Sequence, residues 1–276
     1  NDPMIRADFH THTCFSTDSE TPVREMIEQA AECGLKTLCI TDHWDEDYPK
    51  GLEETPGIPF RFDLDAYGKT LEKLRDEYRD KLDLRIGVEI GLQPHLGTFY
   101  KEFVKRYPFD FVIGSVHLVN GSDPYFGELF RELGDEEGYR ETWRQTVQNI
   151  RQIGDFDVLG HLDYVVRYGM EQEKEYSYRK FADEIDEILK ILIERGKGLE
   201  VNTAGLKYGL PFAHPHPDIL KRYRELGGEI ITVGSDAHRP EHVAYEFAKI
   251  AEILQECGFR YYAEYRNRHP EFYPIL

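Results

Sequence analysis

The 276 residues carry only four cysteines, Cys14, Cys33, Cys39 and Cys257, and no CxxC pair. That spacing excludes a disulfide framework, and the thiols read as reduced, Cys33 and Cys39 within apolar patterns. No apolar run approaches the roughly 20 residues that cross a bilayer. The start Met4-Ile5-Arg6-Ala7-Asp8 lacks signal-peptide character, so a cytoplasmic protein with no membrane partner is expected. Asn1-Asp2-Pro3 ahead of Met4 reads as a cloning remnant. Basic charge is scarce: Lys and Arg number 34 against 52 Asp and Glu, a formal net charge of −18. Such a chain is a poor partner for nucleic acid or an anionic membrane. The first apolar segment is followed by His-Thr-His-Thr-Cys-Phe rather than a glycine-rich phosphate loop, which counts against a dinucleotide-binding open sheet. Asn120-Gly121-Ser122 matches a glycosylation sequon, and in a chain that is not secreted it reads as a turn.

Hydrophobic residues make up 40% of the chain, enough for a full core. Apolar, β-branched stretches predict strands over residues 5–9, 37–41, 84–90, 111–116, 158–161, 198–201 and 229–233. Amphipathic stretches predict helices over 22–33, 64–81, 97–106, 136–153, 177–195, 217–226 and 240–257. Asp63 is placed as an N-cap, His216-Pro217 as a helix start, and Gly34, Gly196, Gly227 and Gly258 as helix stops. Alternation of this kind predicts an α/β fold, a distorted seven-stranded TIM-like (β/α) barrel forming one domain over residues 1–276. The runner-up is an open doubly wound sheet. Residues 45–62, acidic and rich in Pro and Gly, read as a loop over the barrel mouth. The Tyr-, Arg- and Pro-rich residues 260–276 suggest no function.

Of eleven histidines, His10, His12, His43, His117, His161 and His238 fall at or just past strand ends, with Glu89 and Asp236. Alternate residues of a strand share a face, so His10 and His12 point together. Parallel barrels build their sites at the C-terminal ends of the strands. These residues therefore read as a metal centre, and imidazoles mixed with carboxylates suit zinc, iron or manganese alike. His95 and His214 read as surface loop residues, His242 and His269 as surface residues.

The runs Asp8-Phe9-His10-Thr11-His12-Thr13, Ile40-Thr41-Asp42-His43, Gly87-Val88-Glu89, Gly114-Ser115-Val116-His117, Gly160-His161-Leu162-Asp163 and Gly234-Ser235-Asp236-Ala237-His238 occur in an order that resembles the polymerase and histidinol phosphatase (PHP) superfamily, in its histidinol-phosphatase branch. The resemblance implies three clustered divalent metal ions. The first would take His10, His12, Glu89 and Asp236; the second Glu89, His117 and His161; the third His43, His238 and Asp18. Asp18 departs from relatives that place a histidine there. Arg167 matches the family's phosphate-clamping arginine. Three ions against three carboxylates and a hydroxide leave the pocket at about +2, so the acidic chain can still accept a phosphomonoester.

The resemblance further implies a phosphomonoesterase that releases L-histidinol and phosphate in histidine biosynthesis, by attack of a metal-bridging hydroxide on phosphorus. Asp18 and Asp163, or a metal-bound water, are candidate proton donors to the leaving group, and His43 and Arg167 complete the catalytic set. Arg167, Asp163 and Asn202 are expected substrate contacts, with Asp45, Glu46 and Asp47 as partners for the substrate amine. Asp8 and Asp42 are expected to orient ligands. The competing readings are a phosphatase for another small phosphoester or phosphotyrosine, a nuclease module, and a metal-storage module. The sequence marks no oligomer interface.

Overall fold

A computed structural model describes residues 4–51 and 60–275. In chain order the elements are β1 (Ala7–Asp8), α1 (Val23–Glu32), β2 (Thr37–Ile40), β3 (His43–Trp44), α2 (Leu64–Glu77), β4 (Asp83–Gly91), α3 (Gly97–Phe103) and β5 (Phe111–Ser115). There follow α4 (Glu128–Gln152), β6 (Val158–Leu159), α5 (Ala182–Glu194), β7 (Gly198–Asn202), α6 (Ala204–Lys207), α7 (Pro217–Glu225), β8 (Ile231–Gly234), α8 (Phe247–Glu256), β9 (Tyr261–Arg266) and β10 (His269–Pro274).

Seven strands run parallel in the order β1-β2-β4-β5-β6-β7-β8, with the two-residue β3 beside the end of β4. Phe9 N donates to Val233 O at 2.9 Å and Asp236 N to His10 O at 2.7 Å, so β8 meets β1 and the ring closes. This is the expected barrel. Parallel neighbours need helical crossovers, and the helices supply one apolar face each. In α1 that face is Val23, Met26, Ile27 and Ala30, all buried at helical spacing. Asp63 caps α2 by accepting from Ala66 N, and His216 caps α7 by accepting from Asp218 N, both at 3.0 Å. Gly34 ends α1 at φ +83°, a conformation that favours glycine.

Three differences from the sequence expectation have local causes. Helix α4 begins at Glu128 rather than 136, but Gly134 interrupts it with φ 76° and ψ 170°, so the expected helix is its second segment. Cys33 is exposed, not buried, because it lies one residue past the end of α1. Residues 261–274 form an antiparallel hairpin whose two-residue turn, Asn267-Arg268, has positive φ at both positions. The hairpin covers the N-terminal end of the barrel. There Asp110 accepts from Asn267 N, Asp157 from Arg268 Nε, and Tyr265 O from Arg85. The opposite end is left for the site. Of the loop expected over 45–62, residues 52–59 lie outside the described residues; the rings of Phe60 and Tyr48 meet at a tilt of 53°, 4.7 Å between centroids, beside the mouth. Asn120-Gly121 is a turn, with Val119 bridged to Ser122. Among the described residues no helix is long and apolar enough to cross a membrane.

Candidate metal centre

Six of the seven barrel strands deliver a metal-ligand type at or just beyond their C-terminal ends. His10 and His12 follow β1, His43 opens β3 after β2, and Glu89 lies in β4. His117 follows β5, His161 follows β6, and Asp236 and His238 follow β8. All nine ligand positions expected from the resemblance, Asp18 included, converge on this end.

Their separations test the fit. A tetrahedral ion with bonds of ~2.0–2.1 Å holds its donors roughly 3.3 Å apart. His10 Nε2 lies 3.1 Å from His12 Nε2, 3.3 Å from Glu89 Oε1 and 3.3 Å from Asp236 Oδ1. His12 Nε2 lies 3.5 Å from Glu89 Oε1 and 3.1 Å from Asp236 Oδ1. A second set has Glu89 Oε2 at 3.3 Å from both His117 Nε2 and His161 Nε2. A third has Asp18 Oδ2 at 3.3 Å from His43 Nε2 and 3.1 Å from His238 Nε2. Glu89 faces the first two sets with different oxygens, as a bridging ligand would. Glu89 Oε1, Asp236 Oδ1 and Asp18 Oδ1 are buried without a hydrogen-bond partner among the described residues, an arrangement that costs free energy unless something else binds them. These spacings and unpaired oxygens fit divalent metal ions.

Each imidazole except two is held by its other nitrogen. Glu200 Oε2 lies 2.5 Å from His10 Nδ1, Asp45 Oδ1 2.9 Å from His117 Nδ1, and Asp236 O 2.8 Å from His238 Nδ1. Ser16 Oγ is 3.0 Å from His12 Nδ1 and donates to Asp42 at 2.6 Å, while Asp42 also accepts from Thr13 N and Oγ. These contacts aim Nε2 at the centre. The exceptions are His161, whose Nδ1 is buried and unpartnered, and His43, whose two nitrogens face Glu89 and Asp18. Asp8 accepts from His10 N, Ser235 N and Oγ, and Ala244 N, and so fixes the turn that carries Asp236 at φ 57°. Burial, only partly offset by those bonds, pushes Asp8 up to about 6.

Burial alone would raise the carboxylates of the centre, but their imidazole neighbours outweigh it. Glu89 is held well below its usual range by His10, His117 and His43, Asp236 by His10 and His12, and Asp18 by His43 and His238. Burial opposes protonation of His10, His43 and His117 too, yet the carboxylates hold all three above their usual value, His117 at about 10. His12 goes the other way: burial, then repulsion from His43 and His238, lowers it to about 3. The centre is a set of anionic carboxylates and protons that a cation can displace.

A cavity of about 300 Å³ opens above these groups. Asp18, His43, His117, His161, Asp236 and His238 form its floor; Tyr48, Phe60, Tyr125, Phe126, Tyr164, Tyr168 and Tyr208 contribute its walls. Arg167 lines it as expected, its Cζ 4.5 to 5.5 Å from the ring centroids of Tyr208, Tyr168 and Tyr164.

Several expected contacts are buried away from the cavity or committed to other partners. Asp163 is fully buried and accepts from His214 Nδ1, Tyr176 OH and His216 N, so it is a structural anchor without access to substrate. Asn202, also fully buried, donates to Glu200 and Asp236 and accepts from Ala204 N, beneath the cavity rather than in it. Asp18 is held as an anion and does not suit proton donation. Asp45 is committed to His117, Glu46 accepts from Trp44 Nε1, and Asp47 pairs with His95. His214 is buried, not superficial. Sequence reasoning missed Glu200, Ser16 and Asp123. Glu200 had a signal: a charged residue inside the otherwise apolar run Gly198-Leu199-Glu200-Val201.

Residues 8–204 match the family model for the PHP domain. A Clostridium acetobutylicum protein named "Probable histidinol-phosphatase" is 33% identical over 92% of this chain and 94% of its own length. The histidinol-phosphatase of Lactococcus lactis is 31% identical over 93% of both. A crystal structure of the L. lactis histidinol phosphate phosphatase with zinc, L-histidinol and phosphate superposes with a TM-score of 0.86 at 30% identity, covering 96% of this chain and 98% of that one. The chain belongs to the PHP domain family.

Proposed function

We propose that this protein is a metal-dependent phosphomonoesterase that hydrolyses L-histidinol phosphate to L-histidinol and phosphate, a step of histidine biosynthesis. The observation that carries the reading is the juxtaposition of three donor sets of metal-ligand dimensions with Arg167, whose buried Nε has no hydrogen-bond partner among the described residues, on one cavity. The L. lactis structure, which contains zinc, histidinol and phosphate, supports it.

The donor sets are His10, His12, Glu89 and Asp236; Glu89, His117 and His161; and Asp18, His43 and His238. Zinc, iron and manganese all suit them. When bound, such ions supply Lewis acidity and lower the pKa of a coordinated water. Arg167 presents a planar fork that matches two phosphoryl oxygens. The aromatic walls exclude water and offer flat faces to an imidazole ring. Asp123, which lines the same cavity, is the carboxylate placed for a substrate ammonium; it is oriented by Tyr48 OH at 2.7 Å and Tyr125 N at 2.9 Å.

Steady-state kinetics of the metal-replete protein on histidinol phosphate, phosphotyrosine and p-nitrophenyl phosphate test the assignment. Histidinol phosphate is expected to lead in kcat/KM by at least about a hundred-fold, since a site built around a substrate's polar groups rejects analogues that lack them. If it is no better than the aryl phosphate, the substrate assignment fails. If none is hydrolysed, the phosphatase reading fails.

A further inference from the structure

Strand β7 alone among the seven contributes no metal-ligand position, yet it sends a carboxylate and an amide into the barrel. Glu200 and Asn202 are two residues apart, so they share the inward face. Both are fully buried. Glu200 Oε2 meets His10 Nδ1, while Oε1 accepts from His161 N at 3.0 Å and from Asn202 Nδ2 at 3.0 Å. Asn202 Nδ2 also reaches Asp236 Oδ2 at 3.1 Å. The packing is fitted to this contact. A Cβ on Gly234 would stand 2.3 Å from His10 Cβ and 3.1 Å from Glu200 Oε2, so only glycine lets histidine and carboxylate meet.

We propose that Glu200 and Asn202 are positioning residues for the metal centre, Glu200 by fixing the His10 tautomer and Asn202 by holding Asp236. This rests on the metal-dependent reading above. A carboxylate only accepts, so a His10 that has given up one proton to bind metal keeps the other at Nδ1 and turns the lone pair of Nε2 to the first donor set. Through Oε1 the same carboxylate ties down the backbone at His161, a ligand position of the second set. One buried side chain thus couples β1, β6 and β7.

Glu200→Gln separates positioning from mere packing. Glutamine has one acceptor oxygen where glutamate has two. If that oxygen keeps its bonds to His161 N and Asn202, its amide faces His10 Nδ1 as a donor. His10 then takes the other tautomer, with its proton on Nε2. A metal-free ring can accept that donor by losing its Nδ1 proton, whereas a ring bound to metal through Nε2 cannot.

The experiment measures metal content per chain by mass spectrometry after dialysis of the purified holoenzyme against graded chelator. It also measures the melting temperature of holo and chelator-stripped protein. Glu200→Gln is expected to lose metal at roughly 10- to 100-fold lower chelator than the parent, with the stripped protein losing less melting temperature than the holo protein does. Asn202→Ser, whose hydroxyl can still accept from Ala204 N, is expected to shift the same way by a smaller factor. It is the second variant should Glu200→Gln not fold. Metal retention equal to the parent in both variants overturns the proposal and leaves the phosphatase reading intact. A stripped melting temperature that falls as far as the holo one makes Glu200 structural and also overturns it. A parent that binds no metal sinks the metal reading and this proposal together.

Discussion

The guanidinium of Arg167 lies over the ring of Tyr208, 4.5 Å from its centroid, and Tyr208 is 60% exposed at the cavity rim. The ring holds the cation by its face, and among the described residues no carboxylate pairs with the guanidinium and consumes its donors. Arg167→Lys keeps the charge but loses the fork. A drop in kcat/KM on histidinol phosphate of about 10²- to 10³-fold is expected, on the scale of removing one preorganised donor to a transition state. Metal content should not change, because Arg167 is not a ligand. Tyr208→Leu should cost about ten-fold. An unchanged rate for Arg167→Lys would show that the residue does not touch the phosphoryl group.

Asp45 and Gly91 form a second dependent pair. Asp45 Oδ1 accepts from His117 Nδ1, and a Cβ on Gly91 would stand 1.7 Å from that same oxygen. Gly91→Ala must therefore displace Asp45. Both Gly91→Ala and Asp45→Ala should weaken metal retention at the set of Glu89, His117 and His161 by roughly 10- to 100-fold. Because they act through one contact, the double variant should be little worse than either alone. Additive losses would mean that Gly91 serves some other purpose.

The barrel and the gathering of histidines at one end of it were legible in the sequence for a shared reason. Strand–helix alternation repeats along the whole chain, and histidines clustered at strand ends are hard to explain by packing. His10, His12 and Glu89 could be placed from local pattern alone. What holds them could not. Glu200 lies 190 residues from His10, and Asp45 72 residues from His117. Only closure of the barrel brings those pairs together. Asp163 shows the converse: it lies two residues past the ligand position His161, yet Tyr176, His214 and His216, all distant in sequence from that strand end, take up its oxygens. The hairpin of residues 261–274 was invisible because its turn, Asn267-Arg268, carries none of the glycine that such turns favour.

Metal uptake should release protons. Without metal, His10, His43 and His117 are held in their charged forms by the buried carboxylates, even against the cost of burial. An imidazole must lose its proton to offer the nitrogen to a cation. Calorimetric titration of chelator-stripped protein in buffers of differing ionisation heat should therefore report net proton release near neutrality. Apparent affinity should rise with pH through and above 7. Uptake without proton release would mean that these histidines are already neutral in the metal-free protein.

His214 offers a pH test outside the ligand set. Its Nδ1 is 2.7 Å from Asp163 Oδ1, its Nε2 is buried and unpartnered, and none of the ring is exposed. Burial, only partly countered by Asp163, lowers its pKa from the ordinary 6.5. Between the lowered value and 6.5 the unfolded chain binds the proton and the folded protein does not. Stability therefore rises with pH across that window; the contribution is complete above 6.5 and is lost as pH falls. Asparagine places its amide nitrogen where Nδ1 stands, so His214→Asn keeps the donor to Asp163 and removes the titration. Each pH unit within the window is worth about 1.4 kcal/mol, or roughly 2–4 °C of melting temperature for a chain of this size. Metal-stripped parent should lose more melting temperature between about pH 7 and pH 5.5 than metal-stripped His214→Asn, whatever the variant's absolute stability. Equal losses would mean that His214 takes up its proton in the folded protein as readily as in the unfolded chain.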